Sequence, residues 1–370
     1  MAEPLKNHFG TDIPVLLAEA ISTQYPEFPT ADFLAFCTDG FHDLELTPRA
    51  RRIADGFGRY LPSDRGEALR ILIASLGAEN PSNELTGMEP FRYLPHVFFV
   101  AEYGLDHFEL AMTAQAELTK RFTSEFSIRA FIEHDRERTL EQLRRWADDE
   151  NVHLRRLVSE GTRPRLPWAP RLKEFQQDPE PVLELLELLK DDPEEYVRRS
   201  VANNLNDIAK DHPELAVEVA GRWWSEGDAA RRKLVRHGLR TLIKKGNLGA
   251  LDVLGYGPTS PARPGPVTIV PSSLAIGDKV KLEAVIENPS ARPARALVDI
   301  SIHFVKANGS TSPKVFKGGE VEIAPGATAT VRKTVSIAQH STRTHYPGTH
   351  RVDLLVNGTA IEVGSFEVTD

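Results

Sequence analysis

"DDENVHLRR" (148–156) and "DDPEEYVRR" (191–199) align without a gap at an offset of 43 residues. The Arg-Arg element returns in "DAARRKLVRHGL" (228–239), 33 residues further on. Self-similarity at this period marks stacked two-helix units of the HEAT or armadillo kind, and such stacks present a concave face to an extended ligand. The flanking sequence agrees. "TLEQLRRWADDENVHLRRLVSEG" (139–161) and "PVLELLELLKDDPEEYVRRSVANNLNDIAKD" (181–211) place apolar residues three and four apart, with stops at Gly161, Pro193 and Pro213. The wider offset contains "SEGTRPRLPWAPRL" (159–172), which holds three Arg, three Pro and a Trp. A plain helix–helix link is short and polar, so about ten residues here read as an insertion on the binding face.

After "GYGPTSPARPGP" (255–266) the pattern changes. "KVKLEAVIEN", "ALVDISIHFV", "TATVRKTVSI" and "HRVDLLVNG" alternate apolar and polar residues and are separated by turns such as "ANGS" and "VNGT". About seven short strands in this region predict an immunoglobulin-like sandwich. The expected fold is therefore mainly α. It comprises a HEAT-like α-helical solenoid over 1–257, a linker over 258–266 and an all-β sandwich over 267–370.

Net charge is −8. The last 113 residues carry 12 basic and 10 acidic side chains, leaving 33 and 43 for the rest. The overall sign argues against nucleic acid, but binding needs only a local basic face. The start lacks an apolar signal core, and the longest apolar run, "VFFVA" (97–101), is far too short for a membrane span. The chain reads as soluble and cytoplasmic. One cysteine, Cys37, excludes a disulfide framework and Cys-based zinc. No phosphate loop, His-Glu-x-x-His or Gly-x-Ser-x-Gly occurs, and no cofactor or metal is expected.

Carboxylates and arginines on helices remain. Arg156 and Glu160 stand four apart on one predicted helix; Arg199, Asn203 and Asp207 stand at successive steps of four on the next. Each set shares a face, and the repeat alignment makes the two rows neighbours. One reading is a salt-bridge ladder tying the repeats. The other is a site: Glu160 abuts the loop carrying Arg163, Arg165 and Trp168, and Glu125 follows a Ser/Thr cap in "TSEFSIR" (123–129). Gathered carboxylates suit a cation, and arginines suit phosphates. DNA bearing a cationic alkylated base combines the two.

"WADDENVHLRRLVSEGTRPRLPWAPRL", "VRRSVANNLNDIAKDHPE" and "EPFRYLPHVFFVAEYG" (89–104) resemble the AlkC branch of the bacterial DNA alkylation-repair glycosylases over roughly 85–225, and more loosely over 1–84. An added immunoglobulin-like domain is similar to that of some members. The resemblance implies a monofunctional glycosylase acting on 3-methyladenine and 3-methylcytosine in double-stranded DNA. It places the active-site carboxylates on Glu125, Glu160 and Asp207 and the aromatic on Trp168. Base flipping is not expected, as in the sister AlkD branch. Arg156, Arg163, Arg165 and Arg199 are expected to hold flanking phosphates, with Asn203 in the same row. The competing expectations are a non-catalytic HEAT-repeat scaffold for a protein partner and a lesion sensor that releases no base.

Overall fold

The computed structural model describes residues 4–84, 87–257, 260–339 and 344–369. It divides into two compact units. The first contains residues 1–211 and 229–238. Its helices are α1 (Asp12–Gln24), α2 (Thr30–Thr38), α3 (Leu46–Tyr60), α4 (Arg65–Ala74), α5 (Leu94–Tyr103), α6 (Phe108–Thr119), α7 (Ser127–His134), α8 (Arg136–Trp146), α9 (Val152–Gly161), α10 (Lys173–Gln177), α11 (Glu180–Leu189) and α12 (Glu195–Ile208). The second unit begins with α13 (Pro213–Glu226), and the chain then returns to the first unit for α14 (Ala229–Gly238).

The repeated motif opens α9, α12 and α14, and α9 packs on α12 as α12 packs on α14. Asn151 caps α9, its side chain accepting from the His153 amide at 2.9 Å, as short polar caps do. Asp192 plays a similar part before α12, accepting from the Glu194 amide at 2.9 Å. Leu154, Leu157 and Val158 of α9 and Val197, Val201, Leu205 and Ile208 of α12 are buried, each worth about 1.5–3 kcal/mol of transfer free energy. Gly238 permits the approach of α14 to α12, since a Cβ there would meet Leu205 Cδ2 at 2.9 Å. The first Arg of the pair is structural: Arg155 grips the buried Asp192 through two hydrogen bonds, of 2.6 and 3.2 Å.

The second unit contains α13, α15 (Arg240–Lys244) and α16 (Leu248–Val253), followed, among the described residues, by eight strands. These are β1 (Arg263–Val270), β2 (Ser273–Ala275), β3 (Lys279–Glu287), β4 (Ala294–Val305), β5 (Thr311–Ile323), β6 (Thr328–Ser336), β7 (Gly348–Val356) and β8 (Thr359–Thr369). One sheet runs β1-β3-β6 and the other β2-β8-β7-β4-β5; β2 pairs parallel with β8, and the other pairs are antiparallel. Val280, Leu282, Ala284 and Ile286 of β3 turn inward at every second residue, toward Ile300, Ile302, Val352, Leu354 and Phe366. The β7–β8 turn is Asn357-Gly358, both at positive φ (50° and 79°), as tight hairpins require.

Two features differ from the sequence reading. Strand β1 starts at Arg263, inside the stretch read as linker. It is an edge strand, where Pro264 and Pro266 cost few ladder hydrogen bonds. Residues 258–259 of that linker lie outside the described residues. In addition, α16 shares its core with the sandwich. Leu251, Leu254 and Tyr256 pack with Leu297 of β4, and the Tyr256 hydroxyl donates to Glu320.

Candidate functional site

The α6–α7 turn, the C-terminal half of α9, the loop after it and the face of α12 converge on one chain of charges. Glu125 sits in the turn, its carboxylate accepting from Thr123 Oγ1 at 2.9 Å and from Arg156 Nη1 at 3.1 Å. Arg156 also reaches Glu160, with Nη2 at 3.7 Å from Oε1, and stacks over the Tyr196 ring at 5.1 Å. Arg163 then donates to Glu160 through Nη1 (2.6 Å) and to Asp207 through Nε (2.8 Å). Lys210 closes the chain on Asp207 at 2.8 Å. Three carboxylates and three cations alternate. The spacing of four brings Glu160 under Arg156, and the stack sets α12 beside α9, so that Ser200 Oγ donates to Glu160 Oε2 at 2.6 Å.

Glu160 and Asp207 are 6 % and 1 % exposed. Burial pushes the Glu160 carboxyl up, but the charges of Arg156 and Arg163 and the Ser200 hydrogen bond outweigh it. The group is held below the usual carboxylate range. Arg156 shows the mirror effect: burial favours its neutral form, and Glu125 and Glu160 overcome this and raise its pKa. Glu160 and Arg156 are therefore both charged at neutral pH.

Glu125, Arg156 and Glu160 line a cleft of about 340 Å³, walled on one side by Pro167 and Trp168. Trp168 is 75 % exposed and sits at φ +64°. That conformation costs a non-glycine residue of order 1–3 kcal/mol and persists only where its surroundings impose it. The loop does so. Leu166 and Leu172 are buried, Arg165 holds Asp211 bidentately, and the Leu172 amide donates to the Pro164 carbonyl at 3.2 Å.

The expected residues do not all face the same way. Glu125, Glu160, Arg156 and Trp168 share the cleft. Asp207 does not line it and is covered by Arg163 and Lys210. Arg163 is buried between two carboxylates, and Arg165 is committed to Asp211. Arg199 is half exposed, 3.1 Å from Glu84. Asn203 meets His237 of α14 at 3.0 Å. Sequence reasoning missed Ser200 and Lys210, which carry no motif, although both stand three or four residues from Asp207 or Asn203 in the predicted rows. It also missed Arg129. No group of metal-binding side chains occurs among the described residues, and no described helix is long and apolar enough to cross a membrane.

A helical body and a β-sandwich thus share the chain, with carboxylates and arginines gathered beside an exposed tryptophan. The family model for the DNA alkylation repair enzyme matches residues 121–238, which contain the whole charge cluster. A second model, for the C-terminal Ig-like domain of the uncharacterised protein YhaZ, matches 265–370. The chain is 36 % identical to the alkylpurine DNA glycosylase AlkC of Pseudomonas fluorescens, solved bound to DNA containing an abasic site analog, over 100 % of both chains, with a TM-score of 0.87. It is 34 % identical to the protein YhaZ of Bacillus subtilis, over 98 % of this chain and 99 % of that one. The chain belongs to the AlkC family of DNA alkylation repair enzymes.

Proposed function

We propose that the protein is a monofunctional DNA glycosylase that hydrolyses the N-glycosidic bond of cationic alkylated bases, 3-methyladenine and 3-methylcytosine, in duplex DNA. The observation that carries this is the ionised, buried Glu160 at the wall of a cleft shared with Glu125 and the exposed Trp168. A 3-methylated base already bears a positive charge and leaves without a proton. The barrier is the oxocarbenium character that develops on the deoxyribose. Carboxylate oxygens fixed beside that sugar stabilise the growing charge, and one orients the attacking water. The cluster is neutral as a whole, so the stabilisation is local to the oxygens of Glu125 and Glu160 that face the cleft. Asp207 adds its field from behind Arg163 and keeps that guanidinium in place. Trp168 meets the sugar face and contributes a cation–π attraction of about 0.5–2 kcal/mol.

The arginines divide their labour. Arg156 and Arg163 hold the carboxylates in place, Arg165 holds the loop, and Arg199 with Asn203 offers the surface that meets flanking phosphates. The helix pairs form a HEAT-like stack that tracks the duplex, and the lesion stays in the helix, because the cleft reads charge and not a base edge. The activity belongs in the cytoplasm, at the nucleoid. The test is release of free base from methylated duplex by the full chain. Tight binding with no base released would leave a lesion sensor, and neither would leave a protein scaffold.

A further inference from the structure

Arg129 of α7 is 4 % exposed, and among the described residues no carboxylate lies within ion-pair distance of its guanidinium. Its partners are main-chain carbonyls. Nη1 donates to Gly161 at 3.2 Å and to Arg163 at 2.8 Å, and Nη2 donates to Pro170 at 2.5 Å. Gly161 ends α9, one residue after Glu160. Arg163 and Pro170 are the two feet of the loop that carries Trp168. A buried cation whose hydrogen bonds all go to carbonyls is expensive to keep, and burial lowers its pKa to about 10 against the opposing charges of Glu133, Glu125 and Asp207. Only a planar fork of five donors spans three carbonyls that diverge in this way; an ammonium is a point charge. The neighbouring contact is equally tight, since a Cβ on Gly161 would meet Ile128 Cγ2 of α7 at 2.6 Å. Ile128 and Arg129 of α7 therefore both bear on the end of α9, and Arg129 on the loop as well.

We propose that Arg129 is a positioning residue for base excision, its guanidinium tying the end of α9 to both feet of the loop and so fixing Trp168 relative to the bound sugar. This rests on the role given to Trp168 above. Arg129→Met removes the fork at similar volume, and Arg129→Lys keeps the charge without the span. Both should slow single-turnover release of 3-methyladenine by about tenfold to a hundredfold, the scale of a misplacement near 1 Å, with Kd for the same duplex nearly unchanged. Combined with Trp168→Ala, Arg129→Lys should cost less than about twofold further, because the group it positions is gone. A purely structural arginine would lower Tm yet leave the folded enzyme at full rate, or its loss would multiply with that of Trp168→Ala; either result overturns the proposal. Should Arg129→Met fail to fold, Arg129→Lys runs the same cycle. Trp168→Ala at wild-type speed would overturn this proposal together with the reading of Trp168, whereas a slow Trp168→Ala with multiplicative losses overturns this one alone.

Discussion

Replacing Glu160 by Gln separates catalysis from architecture in one step. The amide keeps the shape and can still accept from Ser200, but it removes the Glu160 charge from the two acidic side chains that line the cleft. Losing one preorganised electrostatic partner costs about 10²–10³ in rate; with Glu125 still in place, a loss of about tenfold to a thousandfold is expected. The structural cost is smaller than for an ordinary broken buried pair, about 3–5 kcal/mol, because neither arginine is stranded. Arg156 keeps Glu125 at 3.1 Å and Arg163 keeps Asp207 at 2.8 Å. A loss of about 2 kcal/mol follows, which lowers Tm by several degrees and leaves the protein folded at 25 °C. The assay is single-turnover release of 3-methyladenine with enzyme in excess, alongside Kd for undamaged duplex, which should barely move. A folded Glu160→Gln protein releasing base at the wild-type rate would refute the assignment of Glu160 as a stabiliser of the sugar cation.

The folded-state pKa of Glu160 is depressed, so its contribution to stability is complete above the ordinary value of about 4.3 and is lost as pH falls through the folded value; urea unfolding should be flat in this respect from pH 6 to 8 and weaken at acid pH, less so in Glu160→Gln. Arg199→Ala should weaken binding to all duplexes and flatten the salt dependence by about one unit of slope. Arg163→Ala should instead leave Glu160 and Asp207 mutually repelling, lowering Tm with little change in the salt slope. Deleting 260–370 should uncover Leu251, Leu254 and Tyr256, and hydrogen exchange through α16 should rise to that of an unfolded segment. Uracil-containing duplex should yield no free base, since an uncharged leaving group needs a protonating acid or a fitted pocket; release near the 3-methyladenine rate would remove the mechanism.

Much of this was legible in the residues because it is periodic. The repeated Asp-Asp and Arg-Arg elements locate α9, α12 and α14, and steps of four put Arg156 with Glu160 and Arg199 with Asn203 and Asp207. Alternation in "KVKLEAVIEN" gives β3 and its buried face directly. What periodicity does not carry is the direction a loop side chain takes. Arg163 and Arg165 look like phosphate ligands in a cationic loop, yet each finds a carboxylate of the α12 region, Arg163 on Asp207 and Arg165 on Asp211. Nor does a lone arginine such as Arg129 announce itself, because its partners are carbonyls, which every residue has. The packing of α16 on β4 was hidden for a similar reason: an apolar face says that it will be covered, not by what.

Fixed carboxylates in this cleft should recognise positive charge on the sugar. The most direct test is the affinity for duplexes differing only at one site, a cationic pyrrolidine abasic analog against its neutral tetrahydrofuran counterpart, for wild type and Glu160→Gln. The wild-type protein should prefer the cationic duplex by about tenfold or more, and the variant should lose most of that preference while binding the neutral duplex normally. Equal affinity of the wild-type protein for the two duplexes would show that the carboxylates do not read charge on the sugar.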